Sequence, residues 1–270
     1  MNQQVRKEVI HCFELVKKKK PLVFHLTNLV AIEEQAHITL AIGARPIMSN
    51  SRNEAEELVD IADALLLNIG TLSSHQIQTM RSALNRAVEK KVPVLLDPVG
   101  YGASKIRNQA VGELITKGNI SFIKGNGGEI AALAGKSGAV SGVDSLLGYS
   151  TELKEIVFHL AKTYSTVVAA TGEIDCISDG NQGVLLIGGS PLLTCISGSG
   201  CMAGSLIASF MATGTSPFIA GITGILTMKI AAQKAAKQVD GPGTFANILI
   251  DEIFKLTSED LEQYGEIQWI

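Results

Sequence analysis

Residues 64–98 decide the fold. Ala64-Leu65-Leu66-Leu67 is a short apolar run that ends at Asn68-Ile69-Gly70. A helical pattern follows from Ser74 to Glu89, and a second apolar run, Val92-Pro93-Val94-Leu95-Leu96, ends at Asp97-Pro98. A run of four or five apolar residues closed by a polar or glycine turn reads as a strand buried on both faces. Two such strands joined by a helix make a βαβ unit, whose strands lie parallel.

The same unit recurs outward in both directions. Pro21-Leu22-Val23-Phe24 precedes Thr27-Asn28. Ile120-Ser121-Phe122-Ile123 ends at Lys124-Gly125-Asn126, with a helical pattern from Glu129 to Ala134. Thr166-Val167-Val168-Ala169-Ala170 ends at Thr171-Gly172. The repeat predicts an α/β fold, a mostly parallel central sheet with helices on both faces. One feature breaks the alternation. Residues 175–178 and 183–187, around Asp179-Gly180, read as an antiparallel hairpin. No linker or low-complexity stretch interrupts the chain, so residues 1–270 read as a single domain.

Composition narrows the function. The chain has 270 residues, a net charge of −3, 18% charged and 46% hydrophobic residues. It is too apolar for disorder and too weakly charged to suggest nucleic-acid binding. The four cysteines (Cys12, Cys176, Cys195, Cys201) include no C-x-x-C pair, so neither a disulfide framework nor a structural zinc site is expected. The polar start of the chain does not read as a signal peptide, and a cytoplasmic protein is expected. Lys17 to Lys20 reads as the solvated end of a first helix.

From Gly180 to Met228 there is no Asp, Glu, Lys, Arg or His. The stretch is cut by Gly188-Gly189-Ser190-Pro191, Ser197-Gly198-Ser199-Gly200 and Gly214-Thr215-Ser216-Pro217. The pieces between are too short to span a bilayer, so buried strands and helices are expected instead of a membrane segment.

In doubly wound sheets, ligands bind beyond the carboxyl ends of the strands. Asn28, Asn68, Asp97, Lys124, Asn126 and Thr171 all close apolar runs, so they should converge on one crevice. Gly135-Lys136-Ser137 lacks the glycine of a phosphate loop, since Ile130 stands there, and Gly198 to Gly204 lacks dinucleotide spacing. Gly198-Ser199-Gly200-Cys201 reads better as an anion cradle. Its glycines let the backbone approach a ligand, and the helix behind it, over residues 202–211, offers unpaired amides to a phosphoryl group. A thiol at a helix start is expected to have a lowered pKa, which makes Cys201 a candidate base. Glu129, three residues after Asn126, is either an outer-shell Mg²⁺ ligand or the acid of a capping box on Asn126. Asp97, locked by Pro98, could steer Mg²⁺ or orient an attacking hydroxyl.

Taken in order, these motifs resemble the hydroxyethylthiazole kinases of the ribokinase-like superfamily. The resemblance runs nearly end to end. It is carried by Thr27-Asn28, Gly43-Ala44 with Pro46-Ile47-Met48, residues 62–72, Asp97 to Gly100, Gly125-Asn126, Glu129 to Gly135, Gly142 to Ser145, Thr171 to Glu173, Gly198 to Cys201 and Gly241 to Phe245. It implies ATP- and Mg²⁺-dependent phosphorylation of the primary alcohol of 4-methyl-5-(2-hydroxyethyl)thiazole, in a homotrimer with the thiazole pocket near a subunit interface. Carried over, Cys201 is the catalytic residue, standing where most of the superfamily has an aspartate. Asn28, Met48, Gly70 and Gly198 fall on the substrate side. Lys124, Asn126, Thr171 and Gly200 fall on the ATP side, with Asp97 and Glu129 as the Mg²⁺-associated carboxylates. The chain departs from the family pattern at Phe24, His25, Glu33, His37, Arg45 and Tyr101, and at Lys124, which replaces an arginine. Apart from Lys124, these departures read as clustering on the substrate and interface side. Two alternatives stay open: a related kinase acting on another small alcohol, such as a pyrimidine or vitamin precursor, and a non-catalytic thiazole or nucleotide sensor.

Overall fold

A computed structural model describes residues 3–136 and 151–270. The motif at Gly142 to Ser145, and Ser137, lie outside the described residues. Among the described residues, nine strands form one sheet in the order β2-β1-β3-β4-β5-β6-β7-β8-β9. They are β1 (Leu22–Leu26), β2 (Arg45–Met48), β3 (Ala64–Asn68), β4 (Val94–Asp97), β5 (Phe122–Asn126), β6 (Val167–Thr171), β7 (Asp175–Ser178), β8 (Gly183–Ile187) and β9 (Glu266–Trp269). Strands β1 to β6 are parallel, and β7, β8 and β9 each pair antiparallel to the strand before.

The helices are α1 (Gln3–Lys19), α2 (Ile32–Ile42), α3 (Ala55–Ile61), α4 (Ser74–Lys90), α5 (Lys105–Lys117), α6 (Gly127–Leu133), α7 (Thr151–Tyr164), α8 (Ser199–Met211), α9 (Pro217–Ala236), α10 (Pro242–Lys255) and α11 (Ser258–Tyr264). They cover both sheet faces, as buried parallel strands require. Alternate strand residues feed two separate cores. Leu66, Leu95, Phe122 and Ala169 pack with α1, α2, α8, α9 and α10. Leu65, Leu67, Leu96, Ile123 and Val168 pack with α3 to α7. The period-2 alternation of a strand produces this division directly.

The uncharged stretch resolves into β8, α8 and the first part of α9. Every residue of α8 from Cys201 to Met211 is buried. A Cβ at Gly224 would lie 2.8 Å from the backbone nitrogen of Ile207, so glycine is what lets α9 lie against α8. Charge is missing because little of either helix reaches solvent. Among the described residues, no helix is long and apolar enough to cross a membrane.

The hairpin of β7 and β8 forms as expected. Two edge strands gave no sequence signal, and two expectations needed correction. Strands β2 and β9 carry no apolar run, because each lies at a sheet edge with only partial burial; Pro46 is tolerated in β2 for that reason. Helix α8 starts at Ser199, three residues before the apolar segment does. The lysines closing α1 are not merely solvated. Lys17 Nζ donates to the carbonyl of Leu256 and Lys19 Nζ to that of Thr213, at 2.7 and 2.6 Å, so they serve carbonyls just beyond α10 and α8.

Candidate active site

The parallel strands bring their closing residues to one edge of the sheet. Asn68 and Asp97 are register partners at the ends of β3 and β4, and Asn126 and Thr171 at the ends of β5 and β6. Asn28 follows β1 by two residues. Helix α8 enters this edge behind Gly198, whose φ of 80° is the left-handed conformation that glycine adopts without strain. A Cβ there would lie 2.8 Å from that of Ala31. The first turn of α8 therefore starts tight against the loop after β1.

A continuous polar network runs through the site. Asn28 Oδ1 accepts from the backbone nitrogens of Val30 and Ala31, at 3.0 and 2.9 Å. That fixes the amide, so its Nδ2 faces Asn68 Oδ1 at 2.8 Å and Cys201 Sγ at 3.4 Å. Asn68 Oδ1 also accepts from the Gly70 nitrogen at 3.0 Å. Its Nδ2 then donates to Asp97 Oδ2 at 2.9 Å and to Cys201 Sγ at 3.2 Å. Lys124 Nζ lies 3.2 Å from both oxygens of Asp97. Two asparagine amides thus tie a thiol to a buried ion pair. A Cβ at Gly70 would lie 2.7 Å from Asn28, and one at Gly200 would lie 3.2 Å from the Lys124 ammonium. Both glycines are set by those close approaches.

The electrostatics correct one expectation. Burial pushes the Cys201 thiol up, and the Asp97 carboxylate adds to that. Lys124 and the two asparagine amides pull the other way but are outweighed. The helix start does not make a resting thiolate, because the sulfur is desolvated beside an anion. Burial likewise raises the Asp97 carboxyl to about 6, against the opposing pull of Lys124. Burial works against the Lys124 ammonium, yet Asp97, Cys201 and Glu129 hold its pKa above the ordinary lysine value. At neutral pH the pair is Asp⁻/Lys⁺.

The capping box is present. Asn126 Oδ1 accepts from the Glu129 nitrogen and Glu129 Oε2 from the Asn126 nitrogen, both at 2.8 Å. Glu129 Oε1 also accepts from the Gly100 nitrogen at 2.8 Å, which joins the loop after β4 to the first turn of α6. Thr171 Oγ1 donates to the Gly125 carbonyl at 3.2 Å. Met48 closes the edge strand β2 and stands outside the hydrogen-bonded network. Among the described residues, no three His, Cys, Asp or Glu side chains are grouped to hold a metal ion. Asp97 and Glu129 are close enough for their charges to interact, and a cation borne mainly by phosphates and waters needs only one or two such carboxylates.

Other side chains prove structural or supporting. His25 is fully buried, with Nε2 3.2 Å from Ser205 Oγ, and burial holds its pKa down at about 4. It is a neutral core histidine, so this departure does not face the substrate side. Phe24 is also core, while Glu33, His37 and Arg45 are exposed. The sequence reading missed the supports. Gln35 Nε2 donates to the Cys201 carbonyl at 3.1 Å, and the Thr27 hydroxyl donates to Gln35 Oε1. Arg107 donates to the carbonyls of Ile69, Val99 and Gly70, at 2.7, 2.6 and 2.7 Å. The sequence marks Asn68 only as a strand end, although it is the hub of the network.

The chain is similar to known proteins along nearly its whole length. The sequence profile of the hydroxyethylthiazole kinase family matches residues 13–259. A hydroxyethylthiazole kinase of Thermoanaerobacter pseudethanolicus is 41% identical over 267 residues, 98% of this chain and 100% of that protein. One of Archaeoglobus fulgidus is 43% identical over 258 residues, 95% of this chain and 94% of that protein. The solved hydroxyethylthiazole kinase of Pyrococcus horikoshii matches with a TM-score of 0.91 at 34% identity, over 98% of this chain and 99% of that one. A ribokinase-like superfamily protein from Enterococcus faecalis shares the fold, with a TM-score of 0.60 at 15% identity over 90% and 89% of the two chains. The α/β sheet is thus ribokinase-like, and the chain belongs to the hydroxyethylthiazole kinase family.

Proposed function

We propose that the chain, working as one domain over residues 1–270, phosphorylates the primary alcohol of 4-methyl-5-(2-hydroxyethyl)thiazole from ATP with Mg²⁺. The observation that carries this reading is the thiol–amide–carboxylate–ammonium network at the glycine-rich start of α8. It joins a buried thiol to an anion cradle and a fixed cation. A phosphoryl transfer asks mainly for such positioning and charge stabilisation.

In this reading Asn28, Met48, Gly70 and Gly198 form the thiazole side. Lys124, Asn126, Thr171 and Gly200 form the ATP side. The alcohol oxygen bonds to the terminal phosphorus as the bond to the bridging oxygen breaks, leaving ADP. Backbone amides of the first turn of α8 and the Lys124 ammonium meet the charge on the phosphoryl oxygens. Cys201 orients the hydroxyl, and once its own proton has passed to solvent the thiolate accepts the proton of the alcohol. The amide donors Asn28 and Asn68 favour that thiolate. Asp97 and Glu129 would hold Mg²⁺, which neutralises phosphate charge when bound.

A homotrimer in the cytoplasm is part of the proposal. Leu29 and Val30, 69% and 63% exposed, directly follow Asn28, and an apolar surface of that kind beside a substrate residue suits a neighbouring subunit. The deciding experiment is ADP release with the thiazole alcohol, ATP and Mg²⁺. Turnover of pyrimidine or vitamin-precursor alcohols alone would favour a different kinase, and ATP binding without turnover of any alcohol would favour a sensor.

A further inference from the structure

Lys229 is the first charged residue after the uncharged stretch, and it lies on α9 among apolar neighbours. Its side chain and that of Asp175 are 6% and 5% exposed, with Nζ 2.9 Å from Asp175 Oδ2. The same ammonium donates to the carbonyls of Glu173 and Gly188, at 2.9 and 3.0 Å. Asp175 Oδ1 in turn accepts from the Gly172 nitrogen at 2.9 Å. Glu173 and Gly172 lie in the turn after β6. Gly188 lies in the turn after β8 and, with Gly189, has φ of 114° and 93°. Strand β8 runs the same way as β6, so both turns stand on the carboxyl edge of the sheet. Burial raises the Asp175 carboxyl above its ordinary value, and Lys229, the Gly172 amide and, more weakly, the charge of Lys124 pull the other way.

A buried ion pair is seldom the cheapest way to fill a core. Apolar residues of similar volume are often neutral or stabilising in its place. This pair does what an apolar pair cannot: it holds two turns together by three backbone groups. We infer that Lys229 and Asp175 are positioning residues for the nucleotide, a clamp that fixes the turns after β6 and β8 beside Thr171. The inference rests on the reading above that Thr171 faces ATP. Neither side chain touches the reacting atoms. Their effect is on where the Thr171-Gly172 backbone stands when ATP arrives.

The test compares Lys229→Met, Asp175→Asn and the double variant. Each single change strands one buried partner, so both should lower Tm. In the double variant no unpaired charge remains, so Tm should recover towards wild type while the clamp is gone. Calorimetric titration with ATP and Mg²⁺, without alcohol, should then show affinity down by about tenfold or more, while KM for the thiazole alcohol moves far less. A double variant that binds ATP as wild type does, or that loses ATP and alcohol equally, overturns the clamp. If the double variant does not fold, amide exchange in the wild type decides. Binding of ATP should slow exchange at Gly172 and Gly189, and unchanged exchange there overturns the inference. Wild-type protein that binds ATP but releases no ADP with the thiazole alcohol would refute the proposed activity. It would leave the titration to judge the clamp.

Discussion

Lys124 and Asp97 form an ion pair almost out of reach of water, their side chains 4% and 1% exposed. The ammonium meets both carboxylate oxygens, and Asn68 adds a hydrogen bond to one of them. Taking two charges out of water is costly, and removing one partner of such a pair typically costs about 3–5 kcal/mol. A buried pair of this kind is a poor source of net stability. It keeps a cation and an anion fixed within one hydrogen bond of the Cys201 network.

The pair predicts a pH profile. Asp97 is raised from 3.8 to about 6 in the folded protein, chiefly by burial. The folded state then holds that proton more tightly than the unfolded one does. The stability this group contributes is full below pH 3.8 and is lost as pH rises through about 6. Lys124 is raised too, so its contribution is constant across that window and is lost only at alkaline pH. Activity runs the opposite way, since the ionised Asp97 is the form that pairs with Lys124. We expect kcat/KM to climb with pH through an apparent pKa near 6, and Asp97→Asn to lack that limb. A wild-type profile flat from about pH 5 to 7 would separate turnover from Asp97.

Cys201 makes a second prediction. Its thiol is raised above the ordinary thiol value, chiefly by burial, so the thiolate grows only in strongly alkaline solution. Cys201→Ala should lower kcat by about 10²-fold or more and change KM for the alcohol far less. Cys201→Asp should stay active, because a carboxylate there can take the same proton, and it should lack the alkaline rise. Unchanged turnover in Cys201→Ala removes the base role. A folded but inactive Asp variant counts against proton acceptance at this position.

Gly200→Ala tests the cradle against simple helix propensity. Alanine in a helix gains at most about 1 kcal/mol over glycine. The new Cβ, however, would stand 3.2 Å from the Lys124 ammonium, closer than an ordinary contact. We expect Tm unchanged or slightly higher. We also expect kcat/KM down by about 10-fold or more, as Lys124 is pushed off its position. Wild-type kinetics in Gly200→Ala would show that the glycine serves only the turn.

Much of this site could be read from the sequence because parallel strands align their ends. Asn28, Asn68, Asp97, Lys124, Asn126 and Thr171 each close an apolar run, and the sheet brings them to one edge whatever their spacing. The capping box of Asn126 and Glu129 is local and was equally plain. What escaped depends on burial or on distant pairing. The Cys201 thiol moves up because of desolvation that no helix-start pattern reveals. His25 looked like a substrate-side substitution, but Ser205 on α8 meets it from 180 positions away. Lys229 and Arg107 act on carbonyls 56, 41, 38 and 37 positions away, and a backbone acceptor carries no sequence signal.

Arg107 gives the last prediction. Its guanidinium bonds the carbonyls of Ile69 and Gly70 after β3 and of Val99 after β4, and so ties the loop against Asn28 to the loop that follows Asp97. Three acceptors in a fixed fork suit arginine, whereas a lysine ammonium at the end of a different stem cannot reproduce that geometry. These carbonyls are part-buried, and a fully buried one left without a donor costs about 1–3 kcal/mol, so the loops should shift to find other donors. Because Gly70 packs directly on Asn28, that shift reaches the thiazole side before the ATP side. Arg107→Lys should therefore raise KM for the alcohol and lower kcat, with KM for ATP nearly unchanged. The clamp at Lys229 should show the reverse split. If both variants raised both constants equally, the two ends of the sheet edge would not be separately positioned.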